Sequence, residues 1–381
     1  MKVIICEYHP WNAVFRIGNH HYAREFLSSG WEVLWISHPV SFLHGLKAGN
    51  EERMRRSREG PEKHADGPTE LVPYTYLPFL NSPGLSSLWV LENSYRFFRP
   101  SLREWLILTG FYEPDLVWIT DTAMHSVADI AEAKAVAVRI ADDNVEFRNM
   151  PSALKSVEDK LAKRADVVFV TSSPLEDRFR PQYAGKLTLL RNGVDDSHFQ
   201  GDFSRPDEYR DIKGPIAVYV GAIEEWFEPA WIQKLALERA DITTVLIGQA
   251  GIDMGWTSQT GNVRALGPRP YEEIPRYLVH ADCGIIPFKR TRLVESVSPL
   301  KLFEFFASGL PVVSTRWREL EDLDSPALLA SSDDEFVSMV SRAIDENWRK
   351  ERREQFLDYA RRNSWHERFT TAMESLRTFM Q

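Results

Sequence analysis

Residues 294–315, VESVSPLKLFEFFASGLPVVST, place a strongly apolar segment directly before a β-branched run. Ser298 followed by Pro299 predicts a helix start, because a serine hydroxyl caps free N–H groups and proline pre-sets φ at the first helical position. We therefore predict a helix over 299–308 and a strand at PVVST. Lys301 lies in the first turn of this helix, where the helix dipole disfavours positive charge. Such a break of a local rule is typical of a functional site.

The polar residues of this helix form a single stripe. Lys301, Glu304 and Ser308 are spaced i, i+3 and i+7, and the positions around them are apolar. A lysine beside a helix N-terminus is favourable once a phosphate supplies the counter-charge. A carboxylate one turn later can accept hydrogen bonds from ribose hydroxyls. The stripe therefore predicts a nucleoside diphosphate lying along the helix. The alternative is a surface Lys301–Glu304 ion pair, worth ~0.2–0.5 kcal/mol.

Strands and helices alternate on both sides of this segment. The predicted strands are KVIIC, EVLWIS, DLVWIT, AVAVRIA and DVVFVTS in the first half and PIAVYVGAI, TTVLIG, VRALG, CGIIPF and PVVST in the second. β-branched runs separated by helices predict parallel sheets covered on both faces. The pattern pauses at RNGVDDSHF, residues 191–199, in turn-forming residues.

The predicted fold class is α/β, with two doubly wound, Rossmann-like domains. We predict an N-terminal domain over 1–193, a C-terminal domain over 194–364, and a final helix over 365–381 that packs back toward the N-terminal domain. Open parallel sheets bind ligands beyond the carboxyl ends of their strands. We therefore expect the two domains to face each other across a cleft, one holding a donor molecule and the other an acceptor.

Composition narrows the class of protein. Of the 381 residues, 43% are hydrophobic and 27% are charged, which is typical of a globular chain. The net charge of −9 argues against nucleic acid as a partner. Cys6 and Cys283 adjoin apolar strands and are predicted to be buried thiols in a reducing compartment. With neither a signal-peptide pattern nor a run of ~20 apolar residues, a cytoplasmic protein is expected.

Two segments of the first half stand out. Residues 51–68, EERMRRSREGPEKHADGP, are charged, contain two prolines and two glycines, and are predicted to form a mobile loop. Residues 88–106 interleave aromatic side chains with Arg96, Arg99 and Arg103. This pattern suits the inner surface of a membrane, with the protein attached peripherally. The alternative is a core helix with a solvated rim, interrupted at a proline.

The helix and its surroundings resemble a known family. SPLKLFEFFASGLPVVST is similar to the nucleotide-binding helix of GT-B glycosyltransferases, particularly bacterial group-4-like enzymes of surface-polysaccharide and exopolysaccharide synthesis. YVGAIEEWFEPAWI resembles the family's glycine loop, LGPRPYEEIPRYLVHADCGIIPF its nucleobase-binding segment, and RNGVDDSHF its interdomain linker. Together these motifs cover most of residues 190–320.

The resemblance implies transfer of a sugar from a nucleotide-diphosphate sugar, with UDP favoured, to a lipid-linked or glycan acceptor. It places the donor in the C-terminal domain and the acceptor in the N-terminal domain. The residues that it implies for the donor are Gly221, Arg269, Ser298, Leu300, Lys301 and Glu304.

Two departures from the pattern bear on stereochemistry. Many retaining members carry a glutamate where this chain has Ser296, with Glu295 one position away. The lysine that usually follows the glycine loop is replaced by Glu224 and Glu225. These differences favour an inverting subgroup, similar to the membrane-associated glucuronosyltransferase of xanthan assembly and to teichuronic-acid-type transferases.

The same resemblance supplies a catalytic candidate. In AVRIADDNVEF, Asp142 matches the aspartate that serves as general base in the xanthan enzyme. Inverting transfer needs one base to take the proton of the acceptor hydroxyl, and a carboxylate at a strand's end is suitably placed. The alternative is that Asp142 or Asp143 caps the next turn. His125 is the fallback base. No metal and no cofactor apart from the donor are expected.

The first βα loop is expected to line the acceptor crevice. It contains His9 and Arg16, and it is followed by His20 and His21. An NAD-dependent dehydrogenase is excluded by the lack of a G-x-G-x-x-G turn after the first strand. A nucleotide-sugar 2-epimerase and a catalytically silent glycan-binding subunit remain open. The sugar, the acceptor and the choice between UDP and GDP are also left open by the sequence.

Overall fold

The computed structural model describes residues 1–46, 50–78, 86–142 and 153–380. It divides into two compact units. Unit 1 comprises Met1–Arg191 with Phe369–Gln381, and unit 2 comprises Asn192–Arg368. In the described ranges, each unit is built on one sheet.

Unit 1 is built on an eight-stranded sheet. Its strands are β1 (Lys2–Glu7), β2 (Glu32–Ser37), β3 (Glu62–Lys63), β4 (Thr69–Leu71), β5 (Leu116–Ile119), β6 (Ala135–Ile140), β7 (Val167–Val170) and β8 (Leu187–Leu189). Its helices are α1 (Gly18–Ser28), α2 (Glu51–Glu59), α3 (Leu88–Asn93), α4 (Leu102–Thr109), α5 (Val127–Ile130), α6 (Leu154–Arg164) and α7 (Ser173–Tyr183). The strand order is β3-β4-β2-β1-β5-β6-β7-β8, parallel throughout except for the β3–β4 pair.

Unit 2 is built on a six-stranded sheet. Its strands are β9 (Ile216–Val220), β10 (Thr243–Ile247), β11 (Val263–Gly267), β12 (Cys283–Ile286), β13 (Val312–Thr315) and β14 (Leu328–Ala330). Its helices are α8 (Pro229–Glu238), α9 (Ile274–Val279), α10 (Arg292–Glu295), α11 (Leu300–Ala307), α12 (Arg318–Asp322), α13 (Asp333–Ala343) and α14 (Glu346–Arg362). The strand order is β11-β10-β9-β12-β13-β14, all parallel.

The predicted α/β class with two parallel sheets is confirmed. The central strands are buried on both faces, as their continuous apolar runs predict. All the quoted strands are present, and the structure adds short ones, β3, β4, β8 and β14, which carry too few residues to show a pattern. Both cysteines are buried free thiols.

The prediction of a mobile loop over 51–68 was wrong. This segment forms α2 and β3, and the guanidinium of Arg56 is buried in it. Arg56 Nη1 donates to Glu70 Oε2 at 2.7 Å and Arg56 Nη2 donates to Glu62 at 2.6 Å. Ion pairs of this kind give order to a segment that has few apolar residues, so its hydrophobic pattern could not reveal it.

The aromatic–arginine segment divides into separate elements. It contains α3, a 3-10 turn over Ser94–Phe97 and the first part of α4. Its apolar residues split between core and surface: Phe98 is buried, whereas Trp89 is 62% exposed. Among the described residues, no helix is long and apolar enough to cross a membrane.

The last helix, α15 (Trp365–Leu376), contains residues of both units. Within unit 1, its Phe369 ring packs edge-on against Phe26 of α1, with centroids 4.8 Å apart. Leu376 is fully buried. Aromatic contacts of this geometry contribute about 0.5–1.5 kcal/mol beyond the area that they bury, so this part of α15 is an integral part of unit 1.

Candidate functional site

The site begins at the N-terminus of α11 in unit 2. The helix starts at Leu300, half-buried, with Pro299 in extended conformation at the N-cap. The expected capping by the Ser298 hydroxyl was wrong, because the helix starts one residue later and no side chain caps it. Instead, Ser298 Oγ is buried and has no hydrogen-bond partner within the part of the chain that the structure describes. A buried hydroxyl without a partner is costly, and a ligand oxygen would satisfy it.

Lys301 follows in a half-buried environment made of aromatic rings. Its Nζ lies 4.7 Å from the centroid of the Phe288 ring and 5.3 Å from that of Tyr219. Burial lowers the pKa of Lys301 from its ordinary 10.5 to about 8, and the nearby Glu304 raises it only in part. The aromatic faces compensate some of the lost hydration of the amine, but an ammonium group held there still favours an anionic partner.

Glu304 lies one turn further along the same stripe. It is half-buried, and burial raises the pKa of its carboxyl group to about 7, against the smaller opposing effect of Lys301. The side chains of Lys301 and Glu304 form no ion pair or hydrogen bond with each other or with any other described residue. The simple surface ion pair is therefore not formed, and both groups are available to a ligand.

A glycine loop approaches Lys301 from the end of β9. Gly221 has a φ of +135°, and a Cβ atom added there would lie 3.0 Å from Lys301 Cε and 3.2 Å from Nζ. Gly248 follows β10 with a φ of +156°, and its added Cβ would lie 1.9 Å from the carbonyl oxygen of Gly221. Both positions need glycine because of their backbone angles and the close packing. The loop therefore brings backbone atoms close to the lysine.

Two side chains distant in sequence fix the turn before α11. Trp317 Nε1 donates to the carbonyl oxygen of Val297 at 3.1 Å, and its ring stacks on Phe288. Asn192 Nδ2 donates to the carbonyl oxygen of Ser298 at 2.7 Å. Sequence patterns gave no signal for either contact, because each depends on elements far apart along the chain.

Arg269 is held in a network of its own. Its Nε donates to the Tyr277 hydroxyl at 3.1 Å, and its Nη2 pairs with Glu208 Oε1 at 3.0 Å. Nη1 donates to the carbonyl oxygens of Leu266 and Pro268. These bonds fix the turn after β11, and no contact between described residues joins Arg269 to Lys301. Its role toward a nucleobase or phosphate stays a prediction.

The position of the retaining enzymes' glutamate is occupied differently here. Ser296 is buried and its hydroxyl donates to the carbonyl oxygen of Leu293 at 3.0 Å. Glu295 accepts the backbone N–H of Arg318 at 2.9 Å. Both residues have local structural partners in the described part of unit 2, so neither has the setting of a group reserved for a donor sugar.

The predicted base lies at the carboxyl edge of the sheet of unit 1. Asp142 is half-buried, two residues after β6 ends. Asp143, the other candidate for the cap, lies outside the described residues. The fallback base, His125, is placed with Nε2 3.1 Å from the carbonyl oxygen of Leu91, and burial lowers the pKa of its ring. This contact ties His125 to α3.

The histidines near the first βα loop are largely structural. His20 Nε2 lies 3.2 Å from the carbonyl oxygen of Pro10, and burial lowers the pKa of the ring to about 3. Burial also lowers the pKa of His9 to about 4, so it is neutral at pH 7. Arg16 donates to the carbonyl oxygen of Trp11, and His21 is buried.

Beside them lies a polar cluster that sequence reasoning missed. His38 Nδ1 is 2.7 Å from Asp121 Oδ2. Glu7 is the last residue of β1, which lies between β2 and β5, the strands that precede His38 and Asp121. Burial raises the pKa of the Glu7 carboxyl group to about 7. Arg53 Nη2 donates to the carbonyl oxygen of His38 at 2.7 Å. The only available signal was that each acid or histidine ends an apolar run.

Within the described ranges, no group of three or more His, Cys, Asp or Glu residues is arranged to hold a metal ion. Metal-independent chemistry stays a prediction about the reaction.

Two family models match separate parts of the chain. Residues 4–171 match the family described as the N-terminal domain of the glucuronosyltransferase GumK, and residues 226–374 match a glycosyl transferase-like family. The chain is similar to GT-B glycosyltransferases, and in particular to GumK and to the teichuronic acid transferases.

Individual relatives agree with this placement. The putative teichuronic acid biosynthesis glycosyltransferase TuaH of Bacillus subtilis is 26% identical over 242 residues, and the match spans 60% of this chain and 60% of that protein's length. Sucrose-phosphate synthase from Thermosynechococcus elongatus superimposes with a TM-score of 0.71 at 15% identity, covering 99% of this chain and 98% of the other. Anabaena HepE, solved with UDP and glucose, gives 0.66 at 15% identity, covering 99% and 100%. At these identities the solved structures establish the GT-B fold alone.

Proposed function

We propose that this protein is a glycosyltransferase that moves a sugar from a nucleotide-diphosphate sugar, with UDP favoured, to a lipid-linked or glycan acceptor in surface-polysaccharide synthesis. The observation that carries this proposal is the polar stripe of α11. Lys301 and Glu304 are desolvated enough for the pKa of each to move by more than two from its ordinary value, yet no described residue pairs with either. Unpaired and partly desolvated charges of this kind are typical of ligand sites.

The relatives support the class of reaction. The family descriptions name a glucuronosyltransferase and a glycosyl transferase, and the curated relative is named for teichuronic acid biosynthesis. HepE has been solved with UDP-glucose. We carry over the nucleotide-sugar donor and the polysaccharide setting from them, and we favour UDP for the same reason.

In this proposal the donor lies along α11 with its diphosphate at the N-terminus of the helix and its ribose one turn later. The Lys301 amine, the first N–H groups of α11 and the Ser298 hydroxyl meet the diphosphate, while Glu304 accepts hydrogen bonds from the ribose hydroxyls. As the bond between the anomeric carbon and the diphosphate oxygen breaks, negative charge grows on the diphosphate. The amine and the Gly221 loop stabilise that charge in a partly buried site.

In this proposal, unit 1 binds the acceptor. We propose Asp142 as the base that takes the acceptor hydroxyl's proton while the hydroxyl oxygen attacks the anomeric carbon and UDP departs. Direct displacement of this kind inverts the anomeric configuration. It is consistent with the structural partners of Ser296 and Glu295, and it uses neither a metal nor a further cofactor.

A lipid-linked acceptor would bring the protein to the inner face of the cell membrane. Large apolar side chains are exposed on α3 and α4: Trp89 is 62% exposed, Ile107 53% and Leu108 72%. Arg96 and Arg99 lie on the connection between these helices and are exposed. Such a combination suits peripheral contact with an anionic bilayer. Co-sedimentation with phosphatidylglycerol liposomes should fall several-fold for Leu108→Glu, and unchanged binding would remove the membrane proposal.

Nucleotide binding tests the function directly. UDP, GDP and NAD are compared by thermal shift and calorimetry on the wild-type protein and on Lys301→Met. UDP binding that the substitution abolishes supports the donor site, whereas a preference for NAD, or no nucleotide binding, contradicts it.

Turnover then separates the remaining candidates. Release of free sugar without an acceptor would favour an epimerase, and binding without turnover on any acceptor would favour a silent subunit. Asp142→Asn should keep UDP affinity and lower transfer by about 10²–10⁴-fold. Asp129→Asn, on an exposed residue of the same unit, serves as the control and should leave transfer unchanged.

A further inference from the structure

The carboxyl edge of the unit 1 sheet contains a polar pair formed across a strand. His38 directly follows β2 and Asp121 lies two residues after β5, and β1 lies between these strands in the sheet. Their side chains nevertheless meet at 2.7 Å over the end of β1. Asp121 Oδ1 also accepts the backbone N–H of Ala123 at 3.0 Å, which fixes the orientation of the carboxylate. The histidine is thus held in place by an anchored acid.

An exposed aromatic ring lies against this pair. The Tyr8 ring is 51% exposed, and its centroid is 4.7 Å from that of His38. Glu7 Oε1 accepts the backbone N–H of Tyr8 at 2.7 Å, and Asn19 holds the other oxygen of Glu7 at 2.6 Å. The position of the ring therefore follows from a buried network and is not that of a loose surface residue.

The same loop exposes further apolar surface. Val14 is 61% exposed and Phe15 is 51% exposed, and the Phe15 ring packs edge-on against His9 with centroids 4.9 Å apart. Single exposed apolar residues are ordinary, but here three occur within one short loop beside a fixed polar pair. Arg53 adds a donor group, since its Nε is buried and has no hydrogen-bond partner among the described residues.

This combination matches the chemistry of a sugar ring. A pyranose has an apolar face of C–H groups, which packs on an aromatic ring, and a rim of hydroxyls, which need mixed donors and acceptors. A purely structural His–Asp pair would explain the hydrogen bond, but it would not require an aromatic ring fixed in an exposed position next to it.

We propose that the exposed Tyr8 ring and the His38–Asp121 pair form a sugar-binding subsite that holds the glycosyl residue of the acceptor. This inference rests on the proposed transferase function. In it Tyr8 packs on the sugar ring, and His38, oriented by Asp121, hydrogen-bonds a ring hydroxyl. The pair positions the acceptor, and the base remains a separate group.

Binding of simple glycosides tests the subsite without knowledge of the natural acceptor. The probes are octyl β-D-glucoside, octyl β-D-galactoside and octyl α-D-mannoside, each below its micellar concentration, titrated by saturation-transfer NMR. Tetraethylene glycol mono-octyl ether has the same tail without a sugar and measures binding by the tail alone. At least one glycoside should bind the wild-type protein more tightly than this ether.

Three variants then locate the site. Tyr8→Ala and His38→Asn should each weaken that glycoside about tenfold, which corresponds to the loss of one good contact. His38→Asn keeps a donor toward Asp121, so folding is retained, and a melting curve checks this. Phe379→Ala removes another exposed ring from the same unit and should have no effect.

The outcomes separate this inference from the proposed function. UDP affinity should be unchanged in both subsite variants, and absent UDP binding in the wild-type protein would contradict the transferase function itself. If UDP binds but the glycosides bind no tighter than the ether, the subsite is overturned. It is equally overturned if folded Tyr8→Ala and His38→Asn proteins bind the glycosides as the wild type does.

Discussion

Replacing Lys301 by methionine should stabilise the free protein while weakening UDP binding. The amine lies among aromatic rings with no paired charge in the described structure, so its charged form is disfavoured there. Methionine fills similar space without a charge. Residues of this kind are kept for a ligand, at the expense of stability.

The size of the stabilisation follows from the pKa. A fall from 10.5 to about 8 corresponds to about 3 kcal/mol against the charged form, at about 1.4 kcal/mol for each tenfold change in proton affinity. Lys301 keeps some contact with solvent, so we expect about 1–2 kcal/mol at pH 7. Because the folded-state pKa is lowered, the lysine penalises the folded state fully below about pH 8. The difference between variant and wild type should therefore close as pH rises toward 10.5.

The expected loss of affinity is of similar size. A charge-assisted hydrogen bond to phosphate contributes about 1.5–3 kcal/mol, so UDP should bind about 10–150-fold more weakly. Urea unfolding at pH 7 and pH 9.5 measures the stability, and isothermal titration calorimetry measures UDP affinity. Lys350→Met is the matched control, because Lys350 is exposed and pairs with Glu346 on the surface.

Calorimetry also reports the proton that the ligand draws to the amine. At pH 8 the free amine is about half protonated, so UDP binding should take up about half a proton, seen as a dependence of the heat on buffer. A Lys301→Met protein that is less stable at pH 7, or that binds UDP as tightly as the wild type, would refute the assignment of a diphosphate to this lysine.

Three further changes probe the surroundings of the lysine. In urea unfolding, Glu304→Gln should be about 1–3 kcal/mol more stable than wild type at pH 8 and equal to it near pH 4.5. The reason is that the carboxyl group of Glu304 has a raised pKa of about 7, so its ionisation destabilises the folded state only as pH rises. A pH-independent difference would contradict this. Gly221→Ala should lower UDP affinity at least tenfold by calorimetry, whereas Gly30→Ala, also at positive φ but with open space around it, should affect stability alone; equal loss in both would remove the glycine loop from the site. Trp317→Phe keeps an aromatic ring but loses the hydrogen bond to the carbonyl oxygen of Val297. UDP affinity should therefore fall several-fold, which corresponds to about 1 kcal/mol. An unchanged affinity would show that the turn before α11 does not need this hydrogen bond.

Much of the fold could be predicted from the sequence, because buried parallel strands consist of continuous runs of β-branched residues. AVAVRI and VVFV could be recognised as such strands, and they are β6 and β7. The stripe of Lys301 and Glu304 was equally visible, since a helix repeats its faces every three to four residues. Local periodicity is information that a single segment carries by itself.

The tertiary structure decided what those residues experience. Lys301 is desolvated by Tyr219 from β9 and by Phe288, which follows β12, and only the order of strands in the sheet brings these rings to α11. His38 and Asp121 are 83 residues apart and meet over the end of β1.

The sequence by itself determined the α/β class, the predicted helix at 299–308 and the polar stripe on it, because each is a local pattern of apolar and polar residues. Burial of Arg56, the unpartnered hydroxyl of Ser298 and the pairing of His38 with Asp121 were decided by the fold alone. The physical reason is that desolvation and hydrogen bonding depend on neighbours in space, and strand order sets those neighbours without a local signal in the chain.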